Sequence, residues 1–245
     1  MENSFAQKKI AIFGGTSGIG KRIALLLLER KANVIIFSKS QQPSSEFEGE
    51  FSHHLCDGTN YEQVVNAFKK ISDEYGSLDG VVNCIGTIKL KPAHQASIED
   101  WNTCLDLNLN SSFFILKESI PLLSKEGGSL LFMSTAATQV GLANHELVSA
   151  TKSGVNGLVL SAAATYAKKN IRVNAIGPGL VETPLSESMI SNPMFKQASE
   201  KLHPLGRLGK DDDIANAALY FLDPQNSWVT GQNLCVDGGL STIKR

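Results

Sequence analysis

The sequence has no apolar run near the ~20 residues that a membrane span needs. Its greasiest stretch, Ile23–Leu28, is far too short. It has no surplus of charge either: 23 Lys and Arg oppose 24 Asp and Glu, for a net charge of −1. Nothing in that balance points to nucleic acid or an acidic membrane as a partner. Cysteine is sparse. Cys56, Cys84, Cys104 and Cys235 are scattered, with no CxxC pair. That argues against a zinc site or a disulfide framework and for buried thiols in a reducing cytoplasm. The polar start, Met1–Lys9, lacks the apolar core of a signal peptide. No internal repeat and no low-complexity tract is visible.

What is present is a chain of 245 residues, 42% hydrophobic, enough for one well-buried α/β domain spanning residues 1–245. Apolar runs at Lys9–Phe13, Asn33–Phe37, Leu78–Asn83, Ser129–Met133 and Arg172–Ile176 read as buried parallel strands. Phe51–Cys56 is a weaker strand and Asn233–Val236 a last one, giving about seven. Helical patterns lie between them, near Gly18–Arg30, Tyr61–Tyr75, Ile98–Leu123, His145–Lys168 and Asp211–Leu222. Alternating β and α segments predict a doubly wound parallel sheet with helices on both faces. Ser38–Glu50 reads as a loop. Thr183–Gly209 breaks the rhythm with Met189, Ile190, Met194, Phe195, Leu202 and Leu205 among polar residues. It fits either a mobile flap over a ligand or a packed helix pair.

The first strand runs into Gly14-Gly15-Thr16-Ser17-Gly18-Ile19-Gly20 and then directly into a helix. Glycines at such a turn let the backbone approach a pyrophosphate, whose charge the helix amino terminus stabilises. The spacing is Gly-x-x-x-Gly-x-Gly rather than the commoner Gly-x-Gly-x-x-Gly. The strand before and the helix after make this a Rossmann-type dinucleotide site. The second strand ends Ile36-Phe37-Ser38-Lys39. It lacks the acid that would hold the adenosine ribose hydroxyls and favour NAD. Ser38 and Lys39 offer a hydroxyl and a cation for a 2′-phosphate, so NADP is expected, with NAD possible.

With the glycine loop, Asp57, Asn83-Cys84-Ile85-Gly86, Asn108, Pro178-Gly179-Leu180-Val181-Glu182-Thr183, Val229-Thr230-Gly231-Gln232 and Val236-Asp237-Gly238-Gly239 in this order, the chain resembles the short-chain dehydrogenase/reductase family over essentially its whole length. Phe13 stands where that family usually has Thr. The resemblance implies that Asp57 contacts the adenine and that Asn83 and Gly86 flank the cofactor. Pro178, Gly179, Val181 and Thr183 would hold the nicotinamide amide. It also implies a small-molecule substrate and a homotetramer built on Ile98–Leu123 and His145–Lys168. The second of those helices carries the apolar stripe Val155, Leu158, Val159, Ala162 and Ala163.

The family's catalytic motif is a Ser followed about thirteen residues later by Tyr-x-x-x-Lys. Lys152 is present, but Val148 stands at the tyrosine position and Thr135 at the serine position. Threonine keeps a hydroxyl; valine can neither donate nor accept a proton. A positioned general acid contributes typically 10²–10⁴-fold, so another group must supply the proton or the protein does something else. Asn108, Thr135 and Lys152 are therefore the expected catalytic residues, with His145 the candidate acid. On a helix, His145, Val148 and Lys152 share one stripe, and an imidazole titrates near neutrality. Glu146 lies about 100° round that helix. The plainer reading has Asn144 capping the helix and His145 on its surface. Three functions are open: a hydride-transferring oxidoreductase with a modified acid–base set, a non-redox isomerase or dehydratase, and a silent cofactor-binding subunit or sensor.

Three further features read as structural. His53 and His54 are adjacent on a strand and face opposite ways, so no shared metal site is expected. Asp211-Asp212-Asp213 opens a helix and complements its dipole. Trp101 and Trp228 read as packing residues.

Overall fold

A computed structural model describes residues 3–39, 45–123 and 127–244. Seven parallel strands form one sheet in the order β3-β2-β1-β4-β5-β6-β7. They are β1 (Lys9–Phe13), β2 (Asn33–Ser38), β3 (Phe51–Leu55), β4 (Gly80–Asn83), β5 (Gly128–Met133), β6 (Ile171–Pro178) and β7 (Asn233–Val236). The doubly wound expectation is met. β2, β3 and β5 differ by one residue from their sequence bounds, and β4 and β6 by more. Leu78, expected to open β4, makes only an isolated bridge to Leu123. β6 runs on to Pro178, because β7 pairs with Ala175–Pro178 and extends the ladder. The expected loop Ser38–Glu50 falls partly on residues 40–44, which lie outside the described residues, as do Met1 and Glu2 of the polar start.

Alternation along each strand divides the core in two. Ile10, Ile12, Val34, Ile36, Val82 and Leu131 face α1 (Gly18–Glu29) and α8 (Asp211–Leu222). Ala11, Phe13, Ile35, Phe37, Val81, Leu130 and Phe132 face the opposite way. There they meet α2 (Tyr61–Tyr75), α4 (Ser111–Ser119) and α5 (Glu146–Tyr166). Each such side chain, fully buried, contributes roughly 1.5–3 kcal/mol. Phe13 is one of them: it stacks on Phe37 at 4.6 Å and Phe68 at 5.4 Å. Most of the α5 apolar stripe is spent here: Val155, Val159, Ala162 and Ala163 are all buried against the sheet. The exposed apolar residues nearby are Phe113 and Leu160. Trp228 is a further correction: it is 99% exposed and packs against nothing.

The helix expected over Ile98–Leu123 is interrupted. α3 (Ile98–Cys104) starts from a Ser97/Asp100 capping box, passes through a π-helical segment, Leu105–Asn110, and resumes as α4. Such bulges re-aim side chains and cluster at functional sites; Asn108 sits in this one. Thr183–Gly209 contains a helix pair, α6 (Glu187–Ile190) and α7 (Pro193–Leu202). The sheet order reverses between β1 and β4, and a crevice opens at their carboxyl ends, where ligands bind in such sheets.

Candidate active site

Two connected clefts meet at that crevice. The first, about 320 Å³, runs along the glycine loop. Gly14 and Gly18 sit at φ +76° and +49°, backbone that side chains rarely adopt. A Cβ on Gly20 would fall 2.2 Å from the Gly14 carbonyl oxygen, so only glycine lets α1 begin this close to β1. The α1 N-cap, Ser17, makes no side-chain capping bond, and the first turn holds no acid. The amino terminus is thus left to face an anion in the cleft that Gly14, Thr16, Ser17, Gly18, Ile19 and Gly20 line. The residues present fit a dinucleotide pyrophosphate.

The far end of this cleft holds Ser38, Lys39 and Asp57. The sequence groups Ser38 with Lys39 as joint phosphate ligands; both line this end of the cleft, each with a different partner. Ser38 is buried and its Oγ lies 2.7 Å from His53 Nε2. Burial lowers the His53 pKa, which favours the neutral ring in that contact. His54 points the other way, its ring tilted against Phe37. Lys39 is exposed and pairs with Asp57 at 2.7 Å. Burial opposes ionisation of Asp57, but hydrogen bonds from Lys39 and Thr59 outweigh it and hold the carboxyl below its ordinary range. An exposed pair of this kind contributes only about 0–1 kcal/mol, so Lys39 is readily turned toward a stronger anion.

The second cleft, about 570 Å³, shares Ile19, Cys84, Gly86, Thr183 and Leu185 with the first. Asn83 shapes the join: its Oδ1 accepts from the Ile85 amide at 3.0 Å, and its Nδ2 donates to Ser112 at 3.1 Å. Pro178, Gly179 and Val181, leaving β6, form another wall. His203, not singled out by the sequence, buttresses it. Its Nδ1 contacts the Ser199 carbonyl at 2.7 Å and its Nε2 accepts from the Leu180 amide at 3.2 Å. A Cβ on Gly179 would lie 2.6 Å from that ring.

Lys152, one of the expected catalytic residues, reaches the depth of this cleft from α5. It is buried and donates to the Met133 carbonyl at 2.7 Å. Burial pushes its pKa down to about 8. The neighbouring Cys84 thiol is pushed up to about 12 by the same burial, partly offset by Lys152. Asn108 is fully buried; it accepts from the Thr87 amide at 2.9 Å and donates to Thr151 at 3.1 Å. Gly86 brings the two together: a Cβ there would lie 3.1 Å from Asn108 Oδ1 and 3.2 Å from Lys152 Nζ. Thr135 lines the cleft and accepts from the Ala137 amide at 3.3 Å. Beside it, Ser134, which sequence reasoning passed over, has a buried Oγ with no hydrogen-bond partner. Nothing in its spacing marks it out; only its burial in the cleft wall does.

His145 requires a correction. α5 starts at Glu146, and His145 is its N-cap at φ −101°, ψ 12° rather than a first-turn residue. Asn144 does not cap; it occupies φ 64°. The helical stripe therefore does not carry His145, yet the cleft still brings His145, Val148 and Lys152 together. His145 Nδ1 lies 2.8 Å from the Ala143 carbonyl. A carbonyl only accepts, so Nδ1 carries a proton and Nε2 is the remaining functional nitrogen. Glu146 faces elsewhere, accepting from the Ala93 amide at 3.4 Å. Asp212 and Asp213, read as dipole charges, also form ion pairs with Arg22 and Arg207.

The fold and cleft together define a dinucleotide-dependent enzyme of the α/β type. Comparison supports this over nearly the whole chain. The family model described as enoyl-(acyl carrier protein) reductase matches residues 14–241. A cyclohexanol dehydrogenase from Acinetobacter sp. is 30% identical, covering 99% of this chain and 98% of that protein. The 3-oxoacyl-[acyl-carrier-protein] reductase of Chlamydia muridarum is 32% identical, covering 98% and 100%. Among solved structures, the Thermoplasma acidophilum aldohexose dehydrogenase superposes with a TM-score of 0.89 at 29% identity, covering 99% and 98% of the two chains. A Mycobacterium ulcerans short-chain type dehydrogenase/reductase gives 0.90 at 29%, covering 98% and 92%. The chain belongs to the short-chain dehydrogenase/reductase family, a family of oxidoreductases.

Proposed function

We propose that the protein is an NADP-dependent oxidoreductase that moves a hydride between the nicotinamide and a carbonyl or hydroxyl carbon, with an acid–base set rebuilt around Val148. The observation that carries this reading is the continuity of the two clefts. One begins at the bare amino terminus of α1 and Lys39, and the other ends among Thr135, His145 and Lys152. When bound, the nicotinamide supplies or accepts the hydride. Lys152 would hold the cofactor ribose, and Asn108 fixes the backbone at Thr87 beside it. Thr135 orients the substrate oxygen. A silent subunit would have no evident use for this converging set.

Val148 occupies the place of the family's tyrosine, one helical turn before Lys152, and is buried in the cleft wall. His145 Nε2 then serves the proton. Protonated, it donates to the oxygen left by hydride arrival; neutral, it accepts from an alcohol being oxidised. His145→Ala should lower turnover by about 10²-fold, measured as NADPH oxidation across a carbonyl panel. Unchanged turnover removes the histidine from the mechanism.

The phosphate reading rests on Lys39 and the absent acid, with Ser38 a wall of the adenosine end. NADPH should bind several-fold tighter than NADH, and Lys39→Ala should erase that preference in a fluorescence titration. Equal affinities in the parent would sink it. Lys39 would exchange Asp57 for the 2′-phosphate, leaving Asp57 to the adenine side.

Exposed Phe113 on α4 and Leu160 on α5 support a homo-oligomer, a tetramer by family resemblance. Free thiols at all four cysteines fit a reducing, cytoplasmic setting. No described helix is long and apolar enough to cross a membrane.

A further inference from the structure

We infer that the substrate is an uncharged ketone, or the matching secondary alcohol, whose body is hydrocarbon and whose polarity is confined to the one reacting oxygen. The inference rests on the oxidoreductase reading and adds to it the substrate class. Among the described residues, no carboxylate and no guanidinium lines the larger cleft, and Lys152 is its one lysine. Ser134, with its orphan hydroxyl, Thr135 and the Nε2 of His145 gather at one end; Thr87, Asn144, Thr183 and Ser199 are the other small polar side chains of the lining. His203 adds nothing for a ligand, because both ring nitrogens are already engaged.

The rest of the lining is mostly apolar, and its large side chains come from separate parts of the chain. Ile88 and Leu90 follow β4, Leu142 precedes α5, and Met189, Phe195 and Leu202 belong to α6 and α7. Leu202 is still 57% exposed, so a ligand seated there would cover apolar surface that the fold alone leaves wet. A polyol would bury more hydroxyls against these walls than their few polar side chains can satisfy, and a carboxylate or phosphate would meet no cation beyond the buried Lys152. Both lose hydrogen bonds to water that the walls do not replace. The reaction balances with one oxygen: hydride goes to the carbonyl carbon, the C=O π pair stays on oxygen, and that oxygen takes one proton.

The test is a homologous series of 2-alkanones, from butanone to 2-decanone, with NADPH oxidation as readout. Beside it run dihydroxyacetone, glucose and acetoacetate as polar counterparts. Apolar burial predicts a rise in kcat/KM of about fourfold per added methylene until the cleft is filled. The hydroxylated and charged compounds should fall at least about 100-fold below the best ketone. Comparable turnover of a polyol or a carboxylate would overturn the inference. If no ketone is turned over, the oxidoreductase reading fails, and calorimetric binding of 2-decanone to the protein–NADPH complex decides the substrate class separately. Binding that strengthens with chain length keeps the apolar site; no binding overturns it. Leu202→Asp places a charge on a half-exposed wall position that tolerates it. It should raise the KM for 2-decanone at least about tenfold while NADPH affinity holds; an unchanged KM would also overturn the inference.

Discussion

Lys152→Met should lose about 10³-fold or more in turnover and yet melt several degrees above the parent at pH 7. The two effects share one cause. Lys152 is enclosed in the cleft, and burial drops its pKa from 10.5 to about 8. The folded protein therefore holds this proton less tightly than the unfolded chain does. Between pH 8 and 10.5 the unfolded state binds more protons, so stability rises with pH across that window. Below pH 8 the whole cost is present, roughly 3 kcal/mol at 1.36 kcal/mol per pH unit. Methionine removes the charge at similar volume and gives back about 1 kcal/mol through the lost bond to the Met133 carbonyl. A net gain of about 2 kcal/mol corresponds to roughly 4–8 °C in a chain of this size. Melting curves of parent and variant without cofactor, at pH 7 and pH 10.5, check it. The gap should shrink at the higher pH. A variant that melts below the parent at pH 7 would show that the buried ammonium contributes more to the fold than it costs.

Val148→Tyr should raise carbonyl reduction by about 10²-fold or more, since it places a phenol one turn before Lys152 and facing the same cleft as Thr135. The ring has somewhere to go, because Val148 borders the cleft rather than lying sealed in the core. Some crowding of neighbours remains, typically costing ~1–3 kcal/mol, so melting temperature is measured alongside. In the Val148→Tyr background, His145→Ala should become nearly silent, because two acids then serve the same oxygen. A fall in activity with normal folding would mean that the pocket has been reshaped around valine and its substrate. A persistent loss from His145→Ala in that background would show that the histidine does something other than proton transfer.

The sequence by itself determined the architecture. Short continuous apolar runs alternating with helical segments leave a parallel sheet covered on both faces as the stable way to bury them. Gly14 to Gly20 between a strand and a helix set the place where the chain turns toward a phosphate. The absence of an acid after β2 and of a hydroxyl at Val148 was equally legible, because each is a matter of residue type at a fixed offset. Tertiary structure alone decided which of these groups can act. Ser38 and Lys39 are neighbours in sequence, yet strand geometry sends one toward His53 and leaves the other in solvent beside Asp57. Asn108 is buried behind Gly86 in a π-helical turn that no periodicity announces, since one extra residue in a turn leaves the apolar pattern almost unchanged. His145 lies outside the helix that was to orient it, and reaches the cleft through the loop before α5. Ser134 and His203 carry no motif at all. Their roles come from partners distant in the chain, or from the lack of one, and such pairings exist only once the sheet has brought β5, β6 and α7 together.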